Sequence, residues 1–504
     1  MSRSPPGPEA SGLAVRAPFV FVLAAFGVSR WLCWRQGVRF DMGPLPWFFQ
    51  FIEPELLTTR LLESVYYLHA QPPLFNLMMG GVLKAFPGSE PEAFAWLYTG
   101  FGLLLVASLY GLLVRLRVPR WPAAVLTAAF AVSPPTVLYE NWLFYTYPET
   151  LLLCASGPLF HRFAASGRRG AGVALFAVLG ILALSRSSFH LLWYLALVGL
   201  VLGVMPRVPR RTVLLSAAGP LLLLAALYAK NAFHFGTFSA SSWFGMNFAQ
   251  LALKQMPQEE RLALVREGHA SPLALRNPFQ GLSAYPAEYL REDGPDAPVL
   301  RRAVKPSGWP NFNHVAYVQL SRAFAREALA AVRERPATYM ENVKRAVQLF
   351  LTPASDYPFL STNRVHLRPL ERFYNRYVFG TYEAKTPDMR GEWLTGDEVA
   401  ERLAWAWTVL LVFGLGAAGV MALGERWRTG AFSTEGATLL FLAINVLYVA
   451  LVSNLFEYGE NNRLRYPIDP LVLVLGAAGV VGLLRVSRRA PSGAAASSPR
   501  DAVG

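Results

Sequence analysis

The chain has 504 residues, of which 53% are hydrophobic and 16% charged, well under the roughly 25% charged that is usual for soluble domains. Repeated long apolar runs in such a composition exclude an ordinary soluble domain and predict an all-α polytopic membrane protein. The net charge of +14 falls in short Lys/Arg clusters beside apolar runs, where it signals topology, and provides no single basic face for nucleic acid.

The N-terminal stretch is polar and rich in Pro and Gly. No convincing small-residue cleavage site follows the first apolar run, 17–34, so that run reads as a retained span. Further runs lie near 94–116, 121–139, 148–163, 171–185, 189–205, 212–230, 400–424, 434–454 and 467–485, which predicts about ten transmembrane helices. The stretch from Phe75 to Phe86 is apolar but only about 12 residues long, and reads as an interfacial or re-entrant helix. The two cysteines, Cys33 and Cys154, fall in or beside apolar runs and read as inert buried thiols.

Basic clusters test the count, because positive charge gathers on the cytoplasmic side of short loops. With the N-terminus inside and ten crossings, Arg115/Arg117/Arg120, Arg162/Arg168/Arg169, Arg207/Arg210/Arg211, Arg426/Arg428 and Arg485/Arg488/Arg489 all fall inside. The loops 35–93, 140–147, 186–188, 231–399 and 455–466 then lie outside. The predicted organisation is an N-terminal transmembrane catalytic module (1–230) with its first outer loop at 35–93, and an outer segment (231–399). C-terminal transmembrane helices (400–489) and a tail without fixed structure (490–504) complete it. Within the outer segment, Val315–Glu334 has helical spacing and Tyr339–Leu351 is amphipathic. The spacing suits either the bilayer surface or a soluble core.

Polar residues near span ends collect on the predicted outer side: Asp41 after the first span, Glu140 and Glu149 around ENWLFYTYPE, Arg186, Lys230, and Glu457, Glu460, Arg463 and Arg465 in EYGENNRLRYP. Ionisable groups at membrane depth are costly and tend to be functional or paired; the plainer reading pairs Glu140 or Glu149 with Arg186 or Arg463. Acids with arginines at a membrane boundary suit group transfer from a lipid phosphate. A carboxylate takes the acceptor proton, and guanidinium forks stabilise charge on the departing phosphate. No GxxxxGK[ST], HExxH or paired CxxC motif competes. His69, in the first outer loop, fits a packing role as well as a catalytic one.

These motifs resemble the GT-C superfamily of polytopic glycosyltransferases, closest to bacterial relatives of the protein O-mannosyltransferases and the aminoarabinose transferases. The matching pieces are Phe40-Asp41, His69-Ala70-Gln71-Pro72-Pro73-Leu74, LALSRSSFHLL around Arg186, KNAFHFGTFSASSWFGMN from Lys230, and Glu457 to Tyr466. The resemblance implies a polyprenyl-phosphate sugar donor, an acceptor hydroxyl of unknown class (glycan, lipid or protein), and catalysis at the outer face. It implies Asp41 as base or orienting acid, with Glu149 or Glu140 as second acid. His69, Gln71, Arg186, Lys230, Glu460, Arg463 and Arg465 would then contact substrate, the three arginines at the phosphate. Gln71 stands where aminoarabinose transferases carry a Lys. The open second acid leaves a divalent-ion requirement open too, and no other cofactor is expected. The rival classes are a transporter or flippase of a lipid-linked glycan and a non-catalytic scaffold.

Overall fold

A computed structural model describes residues 12–381, 399 and 402–489, so the tail expected at 490–504 lies outside the described residues. Among those described the chain is helical, with no β-sheet and two isolated bridges, Asp41 with Trp142 and Val304 with Pro310. Each of the ten apolar runs falls wholly or largely in a helix. Among the described residues six helices are long and apolar enough to cross a membrane: Arg16–Arg35, Glu90–Arg115, Arg210–Phe235, Trp405–Thr429, Thr434–Leu455 and Asn461–Arg485.

A seventh crossing arises if Arg120–Val132 and Pro134–Glu140 count as one span bent by 58°. Pro134 and Pro135 sit at the break, where they remove backbone donors and force Ser133 out of helical geometry. The remaining expected spans differ for physical reasons. Arg169–Ser185 and Leu191–Val204 are 17 and 14 residues long, short of the ~20 that a bilayer asks for. Thr146–Ser166 has the length, but Glu149, His161 and Arg162 make it more polar. Leu222, Leu223, Val412 and Val420 stand exposed on the long helices, the outward apolar surface of an integral membrane protein.

The loop 35–93 folds into Pro54–Thr59, Leu61–Tyr67 and Leu74–Ala85, the last covering the short apolar stretch. Connections distant in sequence meet at one end of the bundle. Asp41 N–H donates to Asn141 O at 2.8 Å and Leu143 N–H to Asp41 O at 2.9 Å. Tyr139 OH reaches Ala354 O at 2.9 Å, and Lys305 Nζ, buried, donates to Phe48 O and Phe51 O at 2.7 and 2.8 Å. Elsewhere, Arg117 pairs with Glu435 at 2.6 Å and Arg485 donates to Arg117 O at 3.2 Å.

The segment that begins at residue 231 builds a second hydrophobic core, which Ala70 and Phe49 of the first loop join. Phe244–Ala252 packs on Ala316–Glu334 through Met246, Ala249, Leu320 and Phe324. The two backbones come close because Gly245 lies against Ser321, whose hydroxyl accepts from Gly245 N–H. Pro336–Phe350 turns its apolar face, Val343 and Ala346, to Leu251 and packs as well against Thr434–Leu455 and Asn461–Arg465.

Candidate functional site

Two cavities meet in a shared wall where the first loop, residues 238–279 and the loop 456–460 converge. The first, about 470 Å³, is lined by aromatics (Trp47, Phe49, Trp243, Phe279) and by carboxamides (Gln50, Gln71, Asn247, Gln250). Gln50 Oε1 and Gln250 Oε1 are buried without a hydrogen-bond partner. The second, about 510 Å³, is more apolar, with Leu191, Leu192, Phe238, Phe244, Val452 and Phe456 in its walls. Arg186, Ser187, Asn247 and Glu457 belong to both.

Arg186 follows the Arg169–Ser185 helix, whose backbone leaves helical geometry there, so its side chain turns in under the first loop. It is 9% exposed. Its guanidinium lies 4.3 Å from the centre of the Tyr145 ring, and Nε donates to Ser188 Oγ at 3.2 Å. Among the described residues no carboxylate comes within ion-pair distance of it. Burial, then the neighbouring Arg463, pull its pKa down against Glu460 and Glu457. An arginine stays charged at neutral pH regardless, so the depression marks a cation whose charge is under-compensated.

Glu457 and Glu460 sit in the same loop in opposite environments. Burial would raise Glu460, but Arg463 and the Tyr357 hydroxyl, which donates to Oε1 at 2.5 Å, hold it below the ordinary carboxylate range. Glu460 is ion-paired with Arg463. Glu457, half-buried on the shared wall with no ion pair among the described residues, is pushed up to about 8 by burial and by Glu460, against Arg186 and Arg463.

The other expected residues are distributed as follows. Gln71 lines the first cavity and accepts from Ser187 Oγ at 3.2 Å. Arg463 stands behind the cavity wall, bonded to Thr146 at 3.2 Å and set over Phe144, Tyr145 and Tyr357. Arg465 lies elsewhere, on Asp469 and Thr352 O and over Trp407. Asp41 lines neither cavity, and its carboxylate accepts from Gly43 N–H at 2.8 Å. Glu140 is locked bidentately to Arg30 at 2.6 and 2.9 Å and accepts from Tyr147 OH at 2.6 Å. Its partner is thus neither Arg186 nor Arg463. Glu149 is buried on the first turn of Thr146–Ser166, within electrostatic reach of Arg463.

Lys230 Nζ caps the Leu61–Tyr67 helix through Tyr66 O and Leu68 O at 2.9 and 2.7 Å. His69 is a strut between the first loop and the outer segment. Nε2–H donates to Asn313 O at 2.9 Å, which leaves Nδ1 to accept from Ser242 Oγ at 2.7 Å. Glu140 is already spent on Arg30, and among the described residues no three His, Cys, Asp or Glu side chains converge.

Several contributors carry little signal in the sequence. Tyr145 and the carboxamides Asn247 and Gln250 are ordinary residues until folding turns them inward. Asp356, also in the cavity wall, is clamped by Arg364 at 2.5 Å and Arg402 at 2.7 Å. Those partners come from stretches without a periodic pattern.

No family model and no curated protein matches the chain. Among solved structures it is similar to the archaeal oligosaccharyltransferase AglB from Archaeoglobus fulgidus in complex with an inhibitory peptide and a dolichol-phosphate. The identity is 12% and the TM-score 0.43, over 98% of this chain and 53% of that one. The Archaeoglobus fulgidus oligosaccharyltransferase tethered with an acceptor peptide gives 13% and 0.44, over 96% and 52%. Its apo form gives 12% and 0.39, over 96% and 53%. This chain spans about half the length of the archaeal enzyme.

Proposed function

We propose that the protein is a membrane glycosyltransferase that moves a sugar from a polyprenyl-phosphate carrier to an acceptor hydroxyl. In this reading the chain crosses the inner membrane of a bacterium ten times and works at the periplasmic face. The observation that carries it is Arg186, a buried guanidinium without a carboxylate partner among the described residues, set between the more apolar of two cavities and one walled by aromatics and amides. A lipid-linked sugar has the same three parts in the same order. Its isoprenoid chain suits the second cavity, its phosphate the fork of Arg186, and its sugar the amide and aromatic walls of the first.

Arg463, paired with Glu460, adds positive potential behind the phosphate as the carrier departs. The test is to supply membranes containing the protein with a radiolabelled polyprenyl-phosphate hexose. The reading predicts release of free polyprenyl phosphate together with transfer of label to an acceptor. Movement of intact carrier sugar across the bilayer without release would make the protein a transporter.

A further inference from the structure

We infer that Glu457 is the carboxylate that takes the proton from the acceptor hydroxyl, a role for which it is placed and Asp41 is not. The inference rests on the transfer reading above. The bond that breaks in a lipid-phosphate sugar joins the sugar to the phosphate, and with the lipid in one cavity and the sugar in the other it lies where the two cavities meet. Four side chains form that meeting point: Arg186, Ser187, Asn247 and Glu457. Glu457 is the one carboxylate among them, and no cation within ion-pair distance occupies it among the described residues. The neighbouring Glu460 is held by Arg463 and Tyr357, and Asp41 is turned onto Gly43 N–H outside both cavities.

The step then balances. The acceptor oxygen bonds to the anomeric carbon as its proton passes to a Glu457 carboxylate oxygen. The bond from that carbon to the phosphate oxygen breaks, and its electron pair remains on the lipid phosphate beside Arg186. The proton afterwards leaves Glu457 for solvent. The charged groups facing Glu457 are Glu460 on its own loop, Arg463 on the following helix and Arg186 across the wall; Lys254 and Asp356 line the same first cavity, and His190 lines the second. A carboxyl near neutrality suits a group that must both accept and surrender a proton.

Glu457→Gln, Asp41→Asn and Arg186→Ala, each checked for a normal melting transition, are compared in the full-length protein for binding of sugar-free polyprenyl phosphate and for transfer. Glu457→Gln is expected to keep lipid-phosphate binding and to lose transfer by about 100-fold or more, with Asp41→Asn near wild type. Wild-type transfer should also rise with pH through about 8, a limb absent from whatever activity Glu457→Gln retains. If Glu457→Gln transfers normally while Arg186→Ala loses binding, the assignment of Glu457 is overturned and the transfer reading stands. Loss of transfer in Asp41→Asn with Glu457→Gln intact assigns the proton to Asp41. Normal binding and transfer in all three variants overturn both the assignment and the transfer reading.

Discussion

The guanidinium of Arg186 lies 4.3 Å from the centre of the Tyr145 ring, with no carboxylate partner in ion-pair distance among the described residues. The ring orients the cation and leaves its outward edge for an anion. Arg186→Lys keeps the charge but loses both the stack and the fork, and is expected to cut polyprenyl-phosphate release by about 10-fold or more. Tyr145→Phe, which keeps the ring, should release it at close to the wild-type rate, whereas Tyr145→Ala should not. Initial rates of release from labelled carrier sugar decide both.

Glu140 belongs to stability. Arg30, Glu140 and Tyr147 form one buried cluster, and removing the carboxylate strands the Arg30 charge, at a cost of about 3–5 kcal/mol. Glu140→Ala is therefore expected to lower the melting temperature in detergent. The double variant Arg30→Met with Glu140→Leu should recover most of that loss. Gly102→Ala should act on the same cluster, since its Cβ would sit 2.8 Å from both Glu140 Oε2 and Tyr147 OH.

His69 carries a pH dependence of known sign. Burial is the chief cause that pushes its ring from 6.5 down to about 3, with the Asn313 hydrogen bond opposing and Lys230 and His314 adding. Between those values the unfolded chain binds a proton that the folded chain refuses. Its contribution to stability is full above about pH 6.5 and is lost as the pH falls towards 3. Melting temperatures measured across this window should fall with acid in the wild type and show a shallower slope in His69→Gln.

Gly245 sets the spacing of the outer segment. A Cβ there would stand 1.8 Å from Ser321 O, a backbone atom. Gly245→Ala is expected to part the helices Phe244–Ala252 and Ala316–Glu334, exposing the outer segment to limited proteolysis while the long apolar helices remain protected. A wild-type digestion pattern would count against the close packing.

Sequence alone locates the helices, because apolar length is a local property. It also locates Arg186, Gln71 and Glu460, polar residues at the ends of apolar runs that do reach one cavity wall. It gives no means of separating them from Lys230, which looks the same in the chain but spends its amine on Tyr66 O and Leu68 O. The partner of Glu140 was hidden for a similar reason, since Arg30 lies inside the first apolar run. Glu457 and Glu460 are three residues apart, and only packing decides that one faces Arg463 and the other the shared wall. Asp356 with Arg364 and Arg402 depends on contacts that no spacing announces.

The central claim is that Arg186 is an anion seat built for a lipid phosphate. Affinity of the purified protein for sugar-free polyprenyl phosphate, compared between wild type and Arg186→Ala, tests it most directly. The account predicts weakening by about 2–5 kcal/mol, the usual cost of removing one partner of a buried charge pair, with the fold intact. Equal affinity in the two proteins would contradict it.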